Sequence, residues 1–236
     1  MTSDPYLWAA KPFAYLFNIY WSSLQEVTIA GYSVPDFELY PKCDNFRFCQ
    51  IDAVHYDADH WSDGLLRFLH APEVKDQELF VLLLEDYWLT RTVDIQAIES
   101  LAEYMRLHSD ILRMDLTTDR LYAGGMFDVE SWGRLDIIET PFETPYQTSL
   151  QAGIWRKSLM FQVLDYGYSP WRFEIDTKPP KELRVCGTRQ CPIKYANIFK
   201  GGEILQSELN KIPAEHRARV IDMMPAEERS KIKNDI

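Results

Sequence analysis

Leu79 to Leu84 is a run of six apolar residues that stops at Glu85 and Asp86, with Tyr87 and Trp88 directly behind. A run this short, with no apolar–polar alternation, predicts a strand covered on both faces, in the middle of a parallel sheet. Carboxylates that follow such a strand stand at the sheet's carboxyl edge, where open α/β sheets bind ligands. A core strand trailed by an incidental acidic turn is the plainer reading of the same residues.

The flanking sequence alternates in type. Residues 8–22 carry Phe13, Leu16, Phe17 and Tyr20 at helical spacing, with Pro12 suited to a first turn. Residues 25–33 and 46–52 read as strands. From His60 a helix follows with Leu65, Leu66 and Leu69 inward and Ser62 or Asp63 as its cap. Residues 95–108 form an amphipathic helix and 111–117 the next strand. Strands and helices in that order predict βαβ units and a parallel sheet. Residues 119–147 lack helical periodicity and predict one or two short strands, Leu135 to Thr140 being the clearest. Residues 149–164 read as a second helix capped by Ser149, and 182–187 and 193–199 as late strands. In the charged tail, Pro213 and Pro225 each suit the first position of a short helix. The expected fold is α/β: one domain over 1–203 with a Rossmann-type, mostly parallel sheet flanked by helices, then a helical appendage over 204–236 through which the chain could oligomerise.

Composition narrows the functions open to such a domain. The chain has 236 residues, 46% of them hydrophobic, enough for a substantial core. Its 7 Trp and 13 Tyr are of the kind that lines sugar and base sites, although most rings belong to the core. Thirty-six acidic against 25 basic residues give a net charge of −11, which argues against broad adhesion to nucleic acid or an anionic membrane and leaves a local basic groove open. No apolar run reaches the ~18–20 residues of a membrane span. No basic and then apolar segment opens the chain, so a cytoplasmic protein is expected. Cys43/Cys49 and Cys186/Cys191 are not at zinc-knuckle spacing and read as reduced thiols.

Two motifs carry chemistry. An acidic pair after a buried strand suits metal-assisted phosphate chemistry, in which Mg²⁺ or Mn²⁺ neutralises a diphosphate. The second is Ser169-Pro170-Trp171-Arg172-Phe173-Glu174, a Pro-Trp turn that sets a lone acid against a hydrophobic wall and raises its pKa toward general-base range. A surface Glu behind a core Trp is the simpler alternative.

Taken in order, LFVLLLEDYWLT, SLQAGIWRKSLM, SPWRFEID and KYANIFKGG resemble nucleotide-sugar-dependent glycosyltransferases of the GT-A fold, in particular small bacterial and bacteriophage members. TSDPYLWAAKPFAYLFNIYW and HWSDGLLRFL resemble that group's nucleotide-binding half, and the resemblance spans roughly residues 2 to 203. It implies a nucleotide diphosphate sugar as donor, bound near Ser3, Asp4, Tyr6, Ser62, Asp63, Glu85 and Asp86. It also implies Mn²⁺ or Mg²⁺ on Asp86, Glu174 as the base of an inverting transfer, and Gln151, Trp155 and Trp171 beside the acceptor. Tyr87 stands where many relatives carry another acid, and Arg91, Arg156, Lys157, Lys194 and Lys200 are further candidates for the diphosphate.

The acceptor stays open. The bacteriophage character of the resemblance implies a hydroxymethylated base in phage DNA, in a bacterial or phage-infected cell, and the charge of −11 counts against it. A cell-surface glycan or a lipid-linked acceptor is the alternative, as is a degenerate, non-catalytic binding module of the same fold.

Overall fold

The computed structural model describes residues 1–39, 43–51, 58–200 and 202–233, apart from the Lys200 side chain. Asp52, the expected end of one strand, and the last three residues of the tail lie outside the described residues. A 3-10 turn, Asp4–Ala9, leads into α1 (Ala10–Tyr20), β1 (Val27–Gly31), β2 (Phe46–Gln50) and α2 (Trp61–His70). Next come β3 (Leu79–Leu82), β4 (Tyr87–Leu89), α3 (Ile95–Leu107), β5 (Ile111–Asp115), α4 (Asp119–Tyr122), β6 (Phe127–Trp132) and β7 (Leu135–Glu139). After these follow β8 (Gly153–Arg156), α5 (Lys157–Met160), α6 (Pro170–Asp176), β9 (Arg184–Thr188), β10 (Tyr195–Asn197) and β11 (Phe199–Lys200). The chain closes with β12 (Glu203–Leu205), α7 (Gln206–Asn210), α8 (Ala214–Met223), α9 (Ala226–Arg229) and β13 (Ile232–Lys233). No described helix is long and apolar enough to cross a membrane.

The chain forms two units. Unit one takes its described residues from Met1–Gln50, Leu84–Val93 and Ile193–Ile236, and unit two from Ile51–Leu83 and Asp94–Pro192. The expected appendage therefore groups with the first fifty residues.

Unit two is built on a six-stranded sheet in the order β3-β8-β5-β9-β7-β6. Its class is α/β as expected, but the sheet is mostly antiparallel. Only the β5–β9 pairing is parallel, and β3–β8, β5–β8, β7–β9 and β6–β7 all run antiparallel. The strands with both faces covered are β5, all five of whose residues are buried, and its neighbour β8, all four of whose residues are. The run Leu79–Leu84 is instead an edge: β3 pairs with β8 alone, and Leu79, Phe80 and Val81 are half-buried. A continuous apolar run fits either place, because one covered face plus partial burial at an edge satisfies it nearly as well as two covered faces.

Residues 149–164 correct a second expectation. They form no long helix. Gly153–Arg156 is β8, hydrogen-bonded to β3 on one side and β5 on the other, and only the four residues of α5 are helical. Gly153 fixes the choice, since a Cβ there would stand 3.0 Å from Arg113 Nε and 3.2 Å from the Met114 carbonyl. Pairing on two sides outweighs helical periodicity in a segment this short. Helix α3 does form where expected, started by Asp94, whose Oδ1 accepts from the Ala97 N–H at 3.0 Å. Leu101, Tyr104 and Met105 on its inner face are fully buried.

In unit one, α1 buries eight of its eleven residues. Phe13 and Phe17 meet Phe46 edge-on at 6.3 and 5.5 Å, the geometry aromatic quadrupoles prefer. β1 and β2 pair in parallel, β4 and β10 antiparallel, and β11, β12 and β13 form a third small sheet. Tyr15 on α1 bonds His216 on α8 at 2.9 Å, which ties the tail to the first helix. Pro213 and Pro225 occupy the cap positions of α8 and α9, one residue before the position expected. Both helices start where proline's fixed φ directs the chain into a first turn.

Candidate functional site

The polar cluster of unit two begins on β5. Arg113 and Asp115 are two apart, so they share one face of the strand, and neither has any solvent exposure. Asp115 is fully engaged: Oδ1 accepts from the Thr117 N–H and hydroxyl at 3.2 and 2.9 Å, and Oδ2 from the Arg120 N–H at 2.9 Å. It thereby shapes the turn that leads into α4. Arg113 Nη2 donates to the Gln151 carbonyl at 2.8 Å and lies 3.5 Å from Asp115 Oδ1. Its guanidinium rests 5.5 Å from the Trp155 ring. Arg120, almost fully buried, donates through Nη2 to the Tyr146 carbonyl at 2.7 Å and to Asp119 at 3.0 Å. Two buried arginines thus hold the two ends of segment 146–151. Tyr146 is the one non-glycine among the described residues with positive φ, at 60°, a conformation that persists when its surroundings enforce it.

Glu174 completes the cluster from α6. Residues 169–176 are a helix and not the expected turn: Ser169 caps it by accepting from the Arg172 N–H at 3.2 Å, and Pro170 fills its first position. Phe173 is fully buried, with ring centroids 5.8 Å from Trp61 and 6.1 Å from Trp155. That anchor leaves Glu174 half-buried, with Oε1 accepting from the Leu150 N–H at 2.6 Å. Burial raises its pKa above the ordinary 4.5, the Leu150 bond and the Arg113 charge pull it down, and Asp119 adds a small push upward.

The other residues expected near substrate fall as follows. Ser62 and Asp63 do not cap α2. They hold the approach to α6 instead, with Ser62 Oγ accepting from Tyr168 N–H at 2.9 Å and Asp63 Oδ2 from Gly167 N–H at 2.8 Å. Gln151 meets Arg113 through its carbonyl, Trp155 has no exposed surface, and Trp171 on α6 is 64% exposed. Arg156 and Lys157 are buried and committed to carbonyls, Arg156 to Ile111 and Lys157 to Val74 at 2.9 Å. A cavity of about 50 Å³, room for a few waters and no nucleotide, lies beside Thr140 and Gln147.

Unit one holds the acidic pair in the turn between β3 and β4. The Ser3 N–H donates to the Glu85 carboxylate. Asp86 accepts from the Phe199 N–H, and the Asn197 amide nitrogen faces Asp86 Oδ2 at 2.7 Å once that amide is oriented to satisfy both of its ends. Tyr6 packs on Phe199 at 4.8 Å, and Asp4 accepts from the Ser33 N–H and hydroxyl at 3.0 and 2.6 Å. Ser3, Tyr6, Glu85 and Asp86 therefore form one connected neighbourhood, while Asp4 serves β1's exit. Burial raises Glu85, and burial followed by the Glu85 charge pushes Asp86 up to about 7. Among the described residues no group of three or more His, Cys, Asp or Glu side chains converges for a metal. Two adjacent carboxylates still fit a Mg²⁺- or Mn²⁺-type ion that takes one or two protein ligands and completes its shell with phosphate oxygens and water.

Sequence reasoning passed over Arg113, Asp115, Arg120 and Asn197. Arg113 and Asp115 did leave a signal: opposite charges at i and i+2 inside an apolar strand predict a buried, same-face pair. Arg120 and Asn197 left none, because the Tyr146 carbonyl and the Asp86 carboxylate that they meet come from far along the chain. No family model matches this sequence, nor does any curated protein or solved structure.

Proposed function

We propose that the protein is an inverting glycosyltransferase, moving a sugar from a nucleotide diphosphate sugar to an acceptor hydroxyl with Glu174 as the base. The setting of Glu174 carries this reading. One oxygen is fixed by the Leu150 N–H and a hydrophobic wall of Phe173, Trp155 and Trp61 backs the helix, so burial makes the carboxylate a better proton acceptor than a free one. A carboxylate held this way can take the hydroxyl proton as the oxygen attacks the anomeric carbon. Trp171, exposed three residues before the base, offers a ring face for an acceptor.

Glu85 and Asp86 would hold Mn²⁺ or Mg²⁺, which supplies charge neutralisation for the departing diphosphate. Asn197 and the Ser3 and Phe199 N–H groups orient the two carboxylates. The GT-A-like assignment and a cytoplasmic location belong to the same proposal and rest on the residue pattern, the sheet itself being mixed. On this reading the acceptor is a hydroxymethylated base in DNA, a cell-surface glycan or a lipid-linked sugar.

The test is a donor screen by mass spectrometry, with the hit then offered to glycans and modified DNA. Glu174→Gln should lose roughly 10²- to 10⁴-fold in transfer while donor binding is unchanged. The base must be ionised to act, so the rate should rise with pH along a limb above the ordinary carboxylate range. Full activity in Glu174→Gln removes Glu174 from the reaction. Donor binding with no turnover on any acceptor favours a non-catalytic module.

A further inference from the structure

We infer that Arg113 is a positioning residue for Glu174: from the centre of the sheet it clamps the loop that fixes the carboxylate and sets a positive charge beside it. The link to acid–base chemistry rests on the glycosyl-transfer reading; the clamp itself stands on geometry.

Arg113 Nη2 donates to the Gln151 carbonyl, and the residue before Gln151 supplies the N–H that grips Glu174. A shift of the guanidinium therefore moves the peptide that orients the base. The loop is held at its far end too, by Arg120 on the Tyr146 carbonyl, so its middle has little freedom. All five residues of β5 are buried, so the clamp is anchored on a strand of the sheet's interior.

Packing alone does not explain an arginine here. Arg113 Nε and Nη1 are buried without a hydrogen-bond partner among the described residues, a cost that an apolar side chain of similar volume would avoid. β8 also gives up a side chain for it, since a Cβ at Gly153 would reach within 3.0 Å of Nε. Asp115 Oδ1 lies 3.5 Å from Arg113 Nη2 and offsets part of its charge, while both Asp115 oxygens also accept from Thr117 and the Arg120 N–H. The charged groups bearing on Glu174 are Arg113 from β5 and Asp119 from α4. Asp119 is itself paired with Arg120, Asp63 of α2 is spent on the Gly167 N–H, and Arg172 and Asp176 of α6 pair with each other at 3.4 Å. Arg113 is the cation whose charge lowers the proton affinity of Glu174.

The experiment follows the Glu174 carboxyl by carbon NMR in glutamate-labelled protein, its signal identified by its loss in Glu174→Gln, together with hydrogen exchange at the Leu150 amide. Neither readout needs a substrate. In Arg113→Met, Glu174 should titrate at higher pH and the Leu150 amide should exchange about tenfold faster. Arg113→Lys, which keeps the charge but ends short of the Nη2 that holds the Gln151 carbonyl, should return the titration toward wild type and leave the Leu150 amide exchanging fast. A folded Arg113→Met protein with both readouts unchanged overturns the inference. Where the Met variant does not fold, Arg113→Lys decides: faster Leu150 exchange supports the clamp and unchanged exchange overturns it. Both shifts appearing in a protein that transfers no sugar would leave the clamp standing and remove the transferase reading.

Discussion

Asp86 in unit one and Glu174 in unit two are both half-buried carboxylates, and burial raises the proton affinity of each. The larger charge effect on each has the opposite sign, although the Met1 ammonium also acts on Asp86 and Asp119 on Glu174. Asp86 adjoins Glu85, which pushes it further, to about 7; Glu174 faces Arg113, which pulls it back. Burial by itself therefore assigns no role. A cation beside a buried carboxylate favours its ionised form, the form a proton acceptor needs. One crowded by a second carboxylate sits near half-protonation, and an arriving cation relieves it.

The largest effect should come from removing what holds Glu174 in place. Phe173→Ala empties the anchor between Trp61 and Trp155 and should cost about 3–5 kcal/mol, read as a lower thermal midpoint, and it should break the hydrogen bond between the Leu150 N–H and Glu174. An unchanged midpoint would show that α6 is held by something other than this ring. Gly153→Ala presses a methyl on the Arg113 guanidinium and the Met114 carbonyl and should cost about 1–3 kcal/mol in urea unfolding. Wild-type stability there would mean that Arg113 has room to move, which weakens the contrast between the two carboxylates. For Asp86, the folded protein keeps its proton between the ordinary 3.8 and about 7, where the unfolded chain has released it. Stability should thus fall as pH rises across that window, and Asp86→Asn should lessen the fall by about 1–2 kcal/mol. The same pH slope in variant and wild type would dissolve the like-charge half of the comparison. Trp171→Ala is the smallest in stability, within about 0.5 kcal/mol because the ring is exposed, yet it should weaken acceptor binding.

Much of this was legible in the residues themselves. α1, α2 and α3 carry apolar positions at helical spacing, and the described parts of β1, β2, β5, β7 and β9 form where β-branched or apolar runs lie between turn residues. The sheet's direction was not legible, because pairing partners are chosen by contacts between residues such as Val81 and Ile154, far apart in sequence. The run 79–84 looked central for its uniform apolarity, while β5, which is central, was disguised by Arg113 and Asp115. For the sites, the acids could be picked out in advance. The groups that set their behaviour, the Leu150 N–H, the Phe199 N–H and Arg113, act through backbone geometry or burial that composition does not encode.

Unit one is discontinuous, and this bears on how the protein is made. Among the described residues, Tyr87, Trp88 and Leu89 find their strand partners in Asn197, Ala196 and Tyr195. A ribosome adding ~5–20 residues per second leaves that strand waiting for roughly five to twenty seconds. Throughout that interval its aromatic edge is open to other nascent chains, so expression yield should respond to translation speed and chaperone supply more than the stability of the finished molecule would suggest. Neither unit can be cut out as a single continuous fragment.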